Sequence, residues 1–154
     1  MNHNEHDEVE ILLVEDNPAD LELTLIALRA SKLANTIHIA RDGAEALDFL
    51  FCQGAYASRG FSVPKVVLLD LKLPKVDGLE VLQAIRDDER TKWLPVVVLT
   101  SSNEQKDVVR SYKLHVNSYI QKPVDFDQFH QTIRQLGFYW LVVNHAPPAA
   151  VSAL

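Results

Sequence analysis

The chain has one cysteine, Cys52, which excludes an internal disulfide. A lone thiol suits a reduced compartment, and in an apolar helical stretch it reads as core filler rather than as a nucleophile. Long hydrophobic runs are also missing. No apolar stretch approaches the roughly 18 residues of a transmembrane helix, so no association with a membrane is expected. Residues 1–8 are polar and acidic, without the apolar stretch of a signal peptide, and read as a disordered tail. The two histidines there, His3 and His6, lack the further ligands a metal site needs. Positive charge is scarce: Lys and Arg number 15 against 21 Asp and Glu, a formal net charge of −6. No basic cluster offsets that locally, so no nucleic-acid partner is expected. Repeats and low-complexity segments are absent too. These absences together suit a cytoplasmic globular protein.

What is present is an ordinary globular composition, 47% hydrophobic and 23% charged over 154 residues. That length corresponds to about one domain. Apolar runs alternate with helical patterns along it. Val9 to Val14 is a buried strand ending in Glu15-Asp16. Asn17 and Pro18 then open a helix to about Ser31, with Leu21, Leu25 and Leu28 as its stripe and Ile26 beside them. Thr36 to Ala40 is β-branched and alternating, a short strand near an edge. Asp42-Gly43 is a turn, and Ala44 to Phe51 has helical spacing. Residues 53–64 read as a long loop. Val66 to Leu69 is apolar throughout and stops at Asp70; Pro74 follows, and proline cannot extend a ladder. Gly78 to Asp87 is a third helix, and Val96 to Thr100 a fourth strand. A helix capped by Asn103 runs to about Tyr112. Asn117 to Gln121 is a fifth strand ending at Lys122-Pro123, and Asp125 caps a last helix. Five strand–helix alternations predict a doubly wound parallel α/β sheet with helices on both faces.

In such a sheet the C-terminal strand ends share one edge, where open α/β folds bind ligands. The all-apolar strands deliver Glu15 and Asp16, Asp70, Thr100 and Lys122 to that edge. Singly, each has a plain structural reading: an acid ending a strand, loop acids favouring a helix N-terminus, a loop hydroxyl, a surface lysine. Together they make an acidic pocket with a hydroxyl and an ammonium. Three close carboxylates repel one another. Lys122 relieves part of that, and a divalent oxygen-loving ion relieves more; Mg²⁺ suits one or two carboxylates with waters and a phosphate. The combination matches phosphoryl transfer, in which a carboxylate serves as nucleophile. Asp70, ending the central strand, is the best-placed nucleophile. Glu15 and Asp16 are better placed as metal ligands.

This set, with Asp77-Gly78 after the central strand, resembles the receiver domain of two-component response regulators over about residues 9–136. The resemblance implies a flavodoxin-like five-stranded sheet in the order 2-1-3-4-5. It implies Mg²⁺ held by Asp16, Asp70 and the backbone carbonyl of Lys72, with Glu15 assisting. Asp70 would accept a phosphoryl group from a histidine kinase, and Thr100 and Lys122 would bind its oxygens. Pro123 would follow a cis peptide bond. Tyr119 matches an aromatic switch that turns inward when Thr100 moves; it also reads as an ordinary strand aromatic. Lys72 and Ser102, flanking the site, would tune the lifetime of the phosphorylated state. Within the family, the stretch from Ser111 to Asp125, the long loop before the central strand and the C-terminal extension are similar to single-domain regulators that partner cyanobacterial phytochrome kinases. Such a regulator has no fused output domain and signals through another protein.

Two other functions stay open on the residues. A Mg²⁺-dependent phosphatase with an Asp nucleophile, of the haloacid-dehalogenase-like kind, carries a second acid two residues on, where this chain has Lys72. A receiver-like scaffold that takes no phosphate degenerates by losing the acids, which are intact here.

Beyond residue 125, Phe126, Phe129, Ile133, Leu136, Trp140 and Val143 recur at three and four residues, one stripe of an extended C-terminal helix. Gly137 interrupts it at a cost of about 1 kcal/mol relative to alanine. Phe138, Tyr139, Trp140, Leu141, Val142 and Val143 are all apolar. A helix packs one face on its domain, so apolar surface should remain. An isologous homodimer is the expected use; the alternative is a segment folded back on its own domain. Pro147-Pro148 closes it, and the last residues read as disordered. The expected organisation is a tail at 1–8, a receiver domain at 9–136 and the apolar extension at 137–154.

Overall fold

A computed structural model describes residues 9–31, 36–100, 105–116, 118–121 and 127. The elements in chain order are β1 (Ile11–Val14), α1 (Pro18–Ser31), β2 (Ile37–Ala40), α2 (Gly43–Phe51), a 3₁₀ turn (Gly54–Tyr56), β3 (Val66–Leu69), α3 (Gly78–Asp87), β4 (Val96–Thr100), α4 (Gln105–Lys113) and β5 (Ser118–Gln121). The strands form one parallel sheet in the order β2-β1-β3-β4-β5. This is the anticipated doubly wound topology, with β2 at the edge. The last helix and the apolar extension expected after Asp125 lie outside the described residues, as does Asn103.

Alternation along the strands divides the core into two layers. Leu12, Val14, Val67, Leu69, Val96 and Val98 face one side and pack with Ala46, Phe49 and Leu50 of α2 and Leu79, Val81, Leu82 and Ile85 of α3. Ile11, Leu13, Val66, Leu68, Val97 and Leu99 face the other and meet Leu21, Leu25 and Leu28 of α1. Ile26, expected beside that stripe, is exposed instead. One residue past Leu25 the helix has turned about 100° away from the sheet. Phe49, not singled out in the sequence, is buried.

Helix starts follow local chemistry. Asn17 Oδ1 accepts the Asp20 amide at 3.0 Å, and Asp42 Oδ1 accepts the Glu45 amide at 2.7 Å. α2 ends at Cys52, which takes the left-handed conformation with φ 55°. The thiol is only partly buried, and its sulfur accepts an N–H of Arg59 at 3.3 Å. Cys52 therefore terminates a helix rather than filling the core.

The 53–64 loop is fastened to the edge strand by an aromatic cluster. His38 of β2 stacks on Phe49 with ring centroids 4.0 Å apart, and the Arg59 guanidinium lies 4.0 Å from the Phe49 centroid. Tyr56 Oη donates to Glu45 Oε2 at 3.0 Å. His38 Nε2 lies 3.0 Å from the same hydroxyl, so it carries the proton and donates to the Tyr56 oxygen. Burial lowers the His38 pKa, and nearby Arg59 lowers it further against the opposing pull of Glu45. Burial and the hydrogen bond to Glu45 raise that of Tyr56.

At the opposite end of the sheet from the strand-end acids, Arg86 of α3 satisfies backbone carbonyls that enter β4 and β5. Its Nε donates to Leu114 O at 2.7 Å, and its Nη1 to Leu94 O at 2.6 Å and Lys92 O at 3.0 Å. Its Nη2 donates to His115 O at 3.0 Å.

Candidate functional site

The site is built by register. Val14 of β1 stands beside Leu69 of β3, so the residues that follow, Glu15 and Asp70, emerge side by side. The Asp70 amide donates to Val14 O at 3.0 Å and the Glu15 amide to Ala40 O at 3.0 Å, holding both acids to the strand ends. Glu15, Asp16 and Asp70 each place a carboxylate oxygen within 4.8 Å of the others. Glu15 and Asp70 are 1% and 6% exposed; Asp16 faces solvent.

Buried carboxylates need donors or cations. Asp70 Oδ1 accepts the Lys72 amide at 3.0 Å, and Glu15 Oε2 accepts the Asn17 amide at 3.2 Å. The donor set also suits a small divalent ion. Magnesium–oxygen contacts of about 2.0–2.1 Å put two ligand oxygens on one ion no more than about 4.2 Å apart. Adjacent oxygens on an octahedral ion lie about 2.9 Å apart, so a cluster within 4.8 Å is small enough to draw together around one ion by side-chain movement.

The loop after Asp70 closes tightly. Leu71 is buried, and the Gly78 amide returns to Leu71 O at 3.0 Å. A side chain on Gly78 would run into the Asp70 carbonyl and the Leu71 backbone, so the start of α3 demands glycine. Lys75 sits in the left-handed region with φ 67°.

The other anticipated site residues are placed in part. Thr100 is the last residue of β4, in register with Gln121 at the end of β5. Tyr119 of β5 is half-buried and packs against the larger core layer. Lys72 is exposed, with its backbone beside Asp70. Lys122, Pro123, Ser102 and residues 138–143 lie outside the described residues. Asp42 and Gly43, at the turn after β2, were legible only as a turn; their contact with the 71–77 loop is a tertiary fact.

Comparison with known proteins agrees with this geometry. Residues 11–134 match the response regulator receiver domain family. The chain is 45% identical over 140 residues to the probable methanogenesis regulatory protein FilR2 of Methanothrix harundinacea, covering 91% of this chain and 88% of FilR2. It is 41% identical over 139 residues to the response regulator Rcp1 of Synechocystis sp., covering 90% of this chain and 93% of Rcp1. The structure of Rcp1 in its Mn²⁺-bound form superposes with a TM-score of 0.78 at 40% identity, over 90% of this chain and 98% of that one. The phosphorylated cyanobacterial phytochrome response regulator RcpA superposes with a TM-score of 0.79 at 41% identity, over 92% of this chain and 99% of that one.

Proposed function

This chain belongs to the response regulator receiver domain family, and from that premise we propose that it accepts a phosphoryl group on Asp70, with Mg²⁺, from a histidine kinase. The observation that carries the assignment is the carboxylate cluster of Glu15, Asp16 and Asp70 at the tips of adjacent central strands. In the transfer, a carboxylate oxygen of Asp70 attacks phosphorus while the bond from phosphorus to the kinase imidazole nitrogen breaks. The electron pair leaves with that nitrogen. Asp16, Asp70 and the backbone carbonyl of Lys72, with Glu15 assisting, would hold Mg²⁺, which when bound neutralises charge on the phosphoryl oxygens. The Lys72 amide steadies Asp70 through Oδ1. Thr100 and Lys122 serve as donors to the phosphoryl oxygens, and Tyr119 follows Thr100 as the switch.

The kinase we propose is a phytochrome-type sensor, in keeping with the likeness to RcpA. The output is a changed protein–protein surface in the cytoplasm, with no chemistry beyond the regulator's own phosphorylation and dephosphorylation. The apolar run Phe138 to Val143 would form a homodimer.

The test is incubation with Mg²⁺ and acetyl phosphate, read by intact-protein mass. One added phosphoryl group is expected, and none in Asp70→Asn. No uptake by the wild type would indicate a scaffold; continuous turnover of phosphomonoesters would indicate a phosphatase. For the dimer, light scattering on the full chain and on one ending at Leu136 decides: two monomers would end that idea.

A further inference from the structure

Acidic-site residues come from β1 and β3, yet the loop that carries Lys72 is fastened to a third place, the turn between β2 and α2. Gly43 begins α2 with its Cα against the Val76 carbonyl; a side chain there would collide with that carbonyl, its carbon and the Val76 Cβ. The Gly43 amide points at Pro74 O, 3.5 Å away. Lys75 Nζ lies 3.4 Å from Asp42 Oδ2, while Asp42 Oδ1 caps α2 through the Glu45 amide. The loop between these contacts is short. It leaves Asp70 through the Lys72 amide, passes the left-handed Lys75 and returns at Gly78 to Leu71 O. A displacement at Val76 therefore has few residues over which to dissipate before it reaches the Lys72 peptide.

We propose that the Asp42-Gly43 turn is a positioning element for the phosphorylation site. It latches the 71–77 loop so that the Lys72 backbone presents its amide to Asp70 and would offer its carbonyl to a bound metal ion. Neither Asp42 nor Gly43 touches the reacting groups; both act through Pro74, Lys75 and Val76. The proposal rests on the receiver reading above. The turn itself is anchored from behind. Glu45 Oε1 accepts the Arg41 amide at 2.9 Å and Glu45 Oε2 accepts the Tyr56 hydroxyl. A rigid support of this kind is what a metal-ligating peptide needs, and loss of such support typically weakens metal affinity about 10–100-fold.

The experiment compares wild type, Gly43→Ala and Asp42→Asn in the full chain. Asn keeps an oxygen to cap α2 and drops the charge facing Lys75. Two readouts do not depend on phosphorylation: the midpoint for Mn²⁺ binding, and amide hydrogen exchange over residues 71–78. A third is the rate of acetyl phosphate uptake at limiting and at saturating Mg²⁺. For Gly43→Ala, metal affinity should weaken by about tenfold, with faster exchange over 71–78. Uptake should fall most at limiting Mg²⁺ and recover towards wild type at saturation. A folded Gly43→Ala protein with wild-type metal midpoint and exchange overturns the proposal. If it does not fold, Asp42→Asn decides on the same two readouts. Wild-type protein that neither binds Mn²⁺ nor takes up phosphate would defeat the receiver reading itself, a distinct result from an inert latch.

Discussion

Asp70→Asn should make the metal-free protein more stable while removing its function. With oxygens no more than 4.8 Å apart, two carboxylates repel by at least about 3.5 kcal/mol at an effective dielectric of about 20, and by at least about 0.9 kcal/mol in bulk water. Glu15 and Asp70 are both buried, so their pair lies towards the first figure. Asp16 faces solvent, so its pair with Asp70 lies towards the second. The Lys72 and Asn17 amides, together with further interactions that both carboxylates make, offset part of this. A net gain of about 1–2 kcal/mol remains for the neutral side chain. Asparagine keeps an oxygen for the Lys72 amide and adds donors for Glu15 or Asp16. For a chain of this length the gain is a rise in Tm of about 2–8 °C. The assay is thermal unfolding in EDTA at low and high salt, then with added Mg²⁺. The rise should shrink with salt, because the Asp16 pair is exposed to screening. Mg²⁺ should raise the wild-type Tm by mass action and the variant's much less, reversing or closing the gap. A variant no more stable than wild type in EDTA, or one keeping the full Mg²⁺ increment, would refute the idea that these carboxylates repel and share an ion.

Three further outcomes follow from the fold. Arg86→Met strips a charged donor from four carbonyls and should cost about 2–3 kcal/mol in urea unfolding, with faster amide exchange at Leu94 and Val116. Leu82→Ala, at a site with no exposure, should cost about 2–5 kcal/mol, read by the same unfolding curve. The imidazole of His38 should titrate below its ordinary 6.5, chiefly through burial. Its folded pKa is the lower one, so the unfolded chain takes up the proton first as pH falls. The stability it contributes is complete above about 6.5 and is lost below that as pH drops through the folded value. NMR titration of the ring checks the direction, and His38→Phe should flatten stability against pH across that window.

The alternation of apolar strands with helical stripes is a local property, since the periods of 2 and 3.6 are written residue by residue. It determined the five strands, the parallel sheet and the edge that Glu15, Asp16, Asp70 and Thr100 share. The residues on which strands end were equally legible, because an apolar run that stops at an acid marks its own boundary. What sequence could not decide was contact between residues distant in the chain. Ile26 belongs to an amphipathic helix yet points to solvent, because it lies about 100° round from Leu25, off the stripe that meets the sheet. Cys52 sits among apolar neighbours yet ends a helix in the left-handed region. The burial of Glu15 against the exposure of its neighbour Asp16, the four-carbonyl clamp of Arg86 and the seating of Gly43 on Val76 all come from packing between elements. Asp70 was placed at the strand end by its own sequence. That two other acids reach within 4.8 Å of it, and that a turn from a different strand holds its loop, was decided only when the chain folded.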